Sequence, residues 1–92
     1  MNKLEMIELL NLEMVDRNAR LDKISTECQT RLDDVVAIRE RFERGEVRSR
    51  EEAQALVADI ENHLARLKEL RQQAKLMTMD LMFDLQAIYQ AD

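Results

Sequence analysis

Hydrophobic residues return along this chain at the spacing of a helix that packs along one seam. In the first half Ile7, Met14, Leu21, Cys28, Val35 and Phe42 recur every seven residues, and Leu10, Ile24 and Ile38 stand three places after Ile7, Leu21 and Val35. Steps of three and four keep a single stripe on one side of a 3.6-residue helix, the heptad pattern of helices lying side by side. In the second half the same steps run through Ala53, Leu56, Ile60, His63, Leu67, Leu70, Ala74, Met77, Leu81, Asp84 and Ile88. Arg17 and Arg31 interrupt the first seam. An arginine there is expected to lay its apolar stem across the interface and carry its charge to the edge, weakening the packing locally.

The two patterns are separated by Arg44-Gly45-Glu46-Val47-Arg48-Ser49, which holds the only glycine of the chain. Glycine takes the left-handed conformation that closes a helix, and Arg39, Arg41 and Arg44 suit the negative end of the helix dipole. Ser49 followed by Glu52 matches a capping box, in which the serine oxygen accepts an orphan amide and the glutamate reaches back to the cap. The spacing therefore predicts a helix over 3–44, a turn at 45–48 and a second helix over 49–90. A weaker break at 16–18 is a further reading, because Asp16 and Asn18 are both competent caps and would split off residues 3–15. At 1.5 Å per residue each long helix spans about 60 Å. The short connection makes the two antiparallel, so residues 4–15 are expected opposite roughly 76–90. The fold class predicted is all-α, a long antiparallel helical hairpin of coiled-coil type, expected to dimerise into a four-helix bundle.

That expectation of a dimer comes from the open end of the hairpin. Midway along both helices the faces away from the seam are mostly polar, with Asp22, Lys23, Gln29 and Asp33 on the first and Gln54, Glu61, Lys68 and Gln72 on the second, so a two-helix contact suffices there. At the open end Leu9, Leu12 and Val15 on the first helix and Leu76, Met79, Met82, Phe83 and Tyr89 on the second all lie outside the seam. A helix apolar on every side is normally buried on every side, and two such helices cannot cover each other's backs. At roughly 1.5–3 kcal/mol per fully buried large side chain, these residues represent on the order of 10–20 kcal/mol as an upper bound. That rivals the whole net stability of a domain, about 5–15 kcal/mol. A second copy is the simplest cover, giving a bundle about a two-fold axis; a different, hydrophobic protein is the other. Five of the six methionines, Met6, Met14, Met77, Met79 and Met82, fall at this end. The flexible thioether suits an adaptable surface and equally serves as core filler in a dimer.

Composition agrees with helices and narrows the function. Proline is absent and the aromatics are only Phe42, Phe83 and Tyr89, while 46% of the 92 residues are hydrophobic, too many for a disordered chain. The net charge of -5 opposes nucleic-acid binding, since phosphates need Lys and Arg gathered on one face. The one basic cluster, Arg39 to Arg50, is interleaved with Glu40, Glu43 and Glu46. Glu5, Glu8 and Glu13 interrupt the first apolar run, so it is neither a signal-peptide core nor a membrane span. The acidic open end, with Asp80 and Asp84 besides, also lacks the basic face of a helix lying on a membrane. Cys28 is the single cysteine, so no internal disulfide forms and a cytoplasmic setting is expected.

No cofactor or metal is expected, and no enzyme. His63 is the sole histidine and the residue three before it is Ile60, not the glutamate that carboxylate-bridged metal bundles use. Cys28 lies in the seam, where a thiol behaves as a small hydrophobe. Asp84 in an apolar seam needs an edge position, an arginine, or a partner's amide to meet it. Phosphate loops, zinc spacings and nucleophile elbows are missing. The small helical chorismate mutases match in size but use several inward Arg and Lys, where this seam offers Arg17 and Arg31.

In plan, a helix closing at Arg44-Gly45, a polar turn, and a second helix with Leu56, Ile60, Leu64 and Leu67 on one side resembles the helical-hairpin co-chaperones of type III secretion needle proteins. Members of that family are typically shorter, and the apolar stretch from Leu76 to Tyr89 has no counterpart in the resemblance. It implies a cytoplasmic holder of an aggregation-prone partner. The function expected from the residues themselves is non-enzymatic protein binding or adaptor activity, as a homodimer through the open end, with no nucleic acid and no membrane. The alternative is a chaperone or regulatory subunit shielding a hydrophobic partner.

Overall fold

A computed structural model describes residues 2–91, which form two α-helices, α1 (Lys3–Glu43) and α2 (Arg50–Gln90), of 41 residues each. They pack antiparallel as a rod whose long dimension is 67 Å against 16 and 15 Å across. The radius of gyration of 20.4 Å far exceeds the ~12 Å of a globule of this length. The hairpin is therefore almost all surface.

Each helix end follows from local chemistry. Asn2 caps α1 by accepting the Glu5 amide at 2.8 Å, and its own amide donates to the Glu5 carboxylate at 3.0 Å. At the other end Gly45, at φ 71°, lets its N–H reach the Phe42 carbonyl at 3.1 Å while the Glu46 N–H reaches that of Arg41 at 3.0 Å. This is the paired closure of a Schellman motif, which requires a left-handed residue at that position. Ser49 caps α2, accepting the Glu52 amide at 3.0 Å. The expected return bond from Glu52 to the cap residue gives way to another partner: the Glu52 carboxylate accepts from Arg41 Nη2 at 2.7 Å, joining the two helices across the turn. The alternative break at 16–18 is not adopted. α1 runs through it, with Asp16 paired to Arg20 and Arg17 turned inward to α2, so those side chains are engaged in helical partnerships.

Every expected seam position of α2, from Ala53 to Ile88, is buried or half-buried. On α1 the seam holds from Leu10 to Ile38 and departs at its two ends. Met6 turns inward where Ile7 was expected, leaving Ile7 39% exposed, and Phe42 is 38% exposed. A helix of 3.6 residues per turn drifts about 20° per heptad against a 3.5-residue repeat, and here the drift surfaces in the outer turns. Among the described residues full burial is confined to Ile38, Leu56, Leu70 and Met77.

Hydrogen-bonded polar pairs fix the register. Arg17 meets Asp84 at 2.7 Å, Glu27 meets Arg66 at 2.6 and 2.9 Å, Arg31 meets His63 at 3.2 Å and Arg41 meets Glu52. Partners grow closer in sequence toward the turn, as the antiparallel helices of one hairpin require. By heptad position all of them lie in the seam or along the flank marked by Glu13, Glu27 and Arg41 on α1 and Glu52, Arg66 and Asp80 on α2. Among the described residues no ion pair joins the helices on the opposite flank.

The strongest of these pairs carries a pH signature. Glu27 is held down to about 2, first by the hydrogen bond from Arg66 and then by that from Arg31, against an ordinary value of 4.5. The same contact raises Arg66. Since the folded carboxyl is the more acidic, its contribution is whole above about pH 4.5 and is lost as the pH falls toward 2. Glu27→Gln is accordingly expected to melt below the wild type at neutral pH, with the gap closing across that acid window in a circular-dichroism titration. A gap independent of pH would show that the charge of Glu27 is not what matters.

Candidate interaction surface

The open end is built from the first three turns of α1 and the last four of α2, and there the seam is too narrow for the apolar residues present. Leu10, Met14, Met77, Leu81 and Ile88 fill it. The remaining apolar side chains have only solvent to face: Leu9 is 45% exposed, Leu12 and Val15 71%, Leu76 50%, Met79 43%, Met82 64%, Phe83 65% and Tyr89 85%. Leu4, Ile7 and Leu85 belong with them, at 65%, 39% and 50%. In the sequence Ile7 has the spacing of a seam residue, and Leu4 and Leu85 each stand alone between polar neighbours.

The eight expected contact residues do not form one patch. Leu12, Leu76 and Phe83 rim a groove of about 810 Å³ on the ion-paired flank, with Met77, Arg17 and Asp84 below them and Glu13, Asp16, Arg20 and Asp80 along its edges. Leu9 borders a smaller cleft with Met6, Leu10, Ala87 and Ile88. Met79, Met82 and Phe83 surround a shallow depression with Gln86 on the outer face of α2. Val15 and Tyr89 line none of these. Helical geometry sets this division, since residues spread around a cylinder face several ways at once.

The charges in the groove are balanced around Arg17. Arg17 donates to Asp84 at 2.7 Å and lies 3.5 Å from Glu13. Its side chain is only 15% exposed, and the hydrogen bond to Asp84 raises its pKa, with desolvation opposing. Of the three ways to accommodate Asp84 in the seam, an edge position, an arginine or a partner's amide, the structure supplies the arginine. The Nη1 atom of Arg17 is buried without a partner, which leaves the pair a source of register more than of stability.

Arg31 gives its Nη1 proton to His63 Nδ1 at 3.2 Å, since a guanidinium only donates. Nδ1 is therefore the accepting nitrogen, and Nε2 points toward Asp34 at 3.9 Å. No group of three metal-ligating side chains occurs among the described residues. Cys28 is half-buried in the seam. No helix of the described residues is long and apolar enough to cross a membrane.

Protein-family models, curated proteins and solved structures were all compared, without a match in any.

A second exposed apolar group lies toward the turn, where polar outer faces were expected to leave two helices sufficient. Leu32 and Val36 on α1 are 47% and 39% exposed, and Val57 and Leu64 on α2 are 47% and 52%. The signal is present in the chain. Val57, Leu64 and Leu85 share one heptad position immediately beside the seam, a flanking position that belongs neither to the seam nor to the outer face.

Proposed function

We propose that this chain is a non-enzymatic interaction or adaptor protein, cytoplasmic, that self-associates through the Met-rich apolar end formed by its two termini. The observation that carries the reading is the exposure of Leu12, Val15, Met82, Phe83 and Tyr89, each more than 60% open on a hairpin with four fully buried residues among those described. Phe83 belongs to both the groove and the depression, so the exposed side chains of α2 adjoin there, and apolar surface gathered in this way marks an interaction site. A two-fold copy removes from water the part of it that lies in the shared face, with the same residues on both sides. The expected result in light scattering is a dimer at micromolar concentration, lost when Met82→Glu and Phe83→Glu are combined, with helicity retained because both side chains are exposed. A wild-type chain that stays monomeric and binds no exposed-surface dye would falsify the reading.

A second reading, a chaperone or regulatory subunit, is favoured by the groove that Leu12, Leu76 and Phe83 rim. Helices dock in such grooves by apolar anchors one turn apart. The likeness in plan to the secretion co-chaperones points the same way. On that reading the chain expressed alone is aggregated and becomes tractable only with its partner.

A further inference from the structure

The two flanks of the hairpin differ in kind. One holds the ion pairs that join α1 to α2. The other joins the helices by no ion pair or side-chain hydrogen bond among the described residues, and it presents Leu32, Val36, Val57 and Leu64 near the turn and Met82, Leu85 and Tyr89 near the open end. Heptad spacing places both groups on this same side, because antiparallel neighbours share each flank between equivalent positions. Between the apolar groups the flank is polar and its charges are divided by helix. Asp22 stands on α1, and Lys68, Arg71 and Lys75 on α2, all exposed and none in an ion pair among the described residues.

Resting on the proposed self-association, we infer that a second copy lies along this whole flank, with turn beside turn and each α1 against the other copy's α2. Three observations carry the inference. A face 67 Å long and 16 Å wide offers on the order of 1,000 Å² per copy, enough for a stable interface, which needs about 800 Å² per partner. Contact over that length covers the apolar groups at both ends, which an end-to-end dimer does not. The charges select the direction: with turns together, Asp22 of one copy comes level with Lys75 of the other. With turns apart, α2 lies on α2 and sets Lys68, Arg71 and Lys75 against themselves. The ion-paired flank, with its groove of Leu12, Leu76 and Phe83, then faces outward on both sides of a four-helix bundle.

The test combines stoichiometry with a distance. Leu32→Glu with Leu64→Glu is expected to weaken dimerisation at least about 100-fold in light scattering, as buried charges at an interface core do, with circular dichroism unchanged. Asp22→Lys is expected to weaken it less, and adding Lys75→Glu to restore it. Spin labels on Arg48→Cys, in a Cys28→Ala background, are expected to lie far closer to each other than the 67 Å length of the rod. A wild-type monomer overturns both this inference and the proposed self-association. A dimer indifferent to Leu32→Glu with Leu64→Glu but broken by Met82→Glu with Phe83→Glu overturns this inference alone, as does a label separation near the rod length.

Discussion

Leu70→Ala is expected to destabilise the hairpin by roughly 2–5 kcal/mol, the usual result of emptying a closed apolar site. Leu70 is the most enclosed large side chain, 2% exposed, at the middle of a seam that buries only three other residues fully. A rod has few atoms to collapse into such a hole, because solvent lies one side chain away in most directions. Leu64→Ala removes the same atoms from a site 52% exposed and is expected to change folding by no more than about 0.5 kcal/mol in dilute solution. Urea unfolding followed by circular dichroism compares the two variants. Equal effects would mean that the seam is not what holds the helices together.

Arg17 and Asp84 are expected to behave as a pair that is harmful to break and harmless to remove. Asp84→Leu leaves a guanidinium that is 15% exposed without its hydrogen-bonded carboxylate, with Glu13 at 3.5 Å and Asp80 as remaining acidic neighbours, so this variant should melt well below the wild type. Arg17→Leu with Asp84→Leu replaces the pair by apolar side chains in adjacent seam positions and relieves the unpartnered Nη1 atom. Its melting temperature should equal or exceed that of the wild type, since desolvation of a pair often outweighs its attraction. A double variant as unstable as the single one would show that the pair itself stabilises the fold.

Most of the architecture was legible in the chain. Period, caps and the single glycine are local properties, and the eleven seam positions of α2 follow from spacing alone. Arg44 and Ser49 prove to be the residues flanking the helices, not helical themselves. That one-residue difference is the ambiguity inherent in a cap, which belongs half to the helix. The departures at Ile7 and Phe42 arise because the heptad is an approximation whose error accumulates toward the ends.

The candidate surface was legible as composition and hidden as geometry. That Leu12, Met82 and Phe83 lie outside the seam is arithmetic; that they divide among a groove, a depression and an open flank depends on how the partner helix shadows each direction. Leu32, Val36, Val57 and Leu64 illustrate the same limit, since a flanking position is covered or bare according to the neighbour's distance and side chains.

Sequence alone determined what repeats along one helix: the seam, the stops, the excess of apolar residues at the open end and the mixed charge elsewhere. The tertiary structure decided whatever needs both helices at once. It matched Arg17 to Asp84 and Glu27 to Arg66, gathered the ion pairs on one flank, and left the other flank bare from turn to termini. The reason is physical: periodicity fixes the direction of a side chain about its own axis, whereas burial and charge pairing depend on which residue of the opposite helix stands level with it.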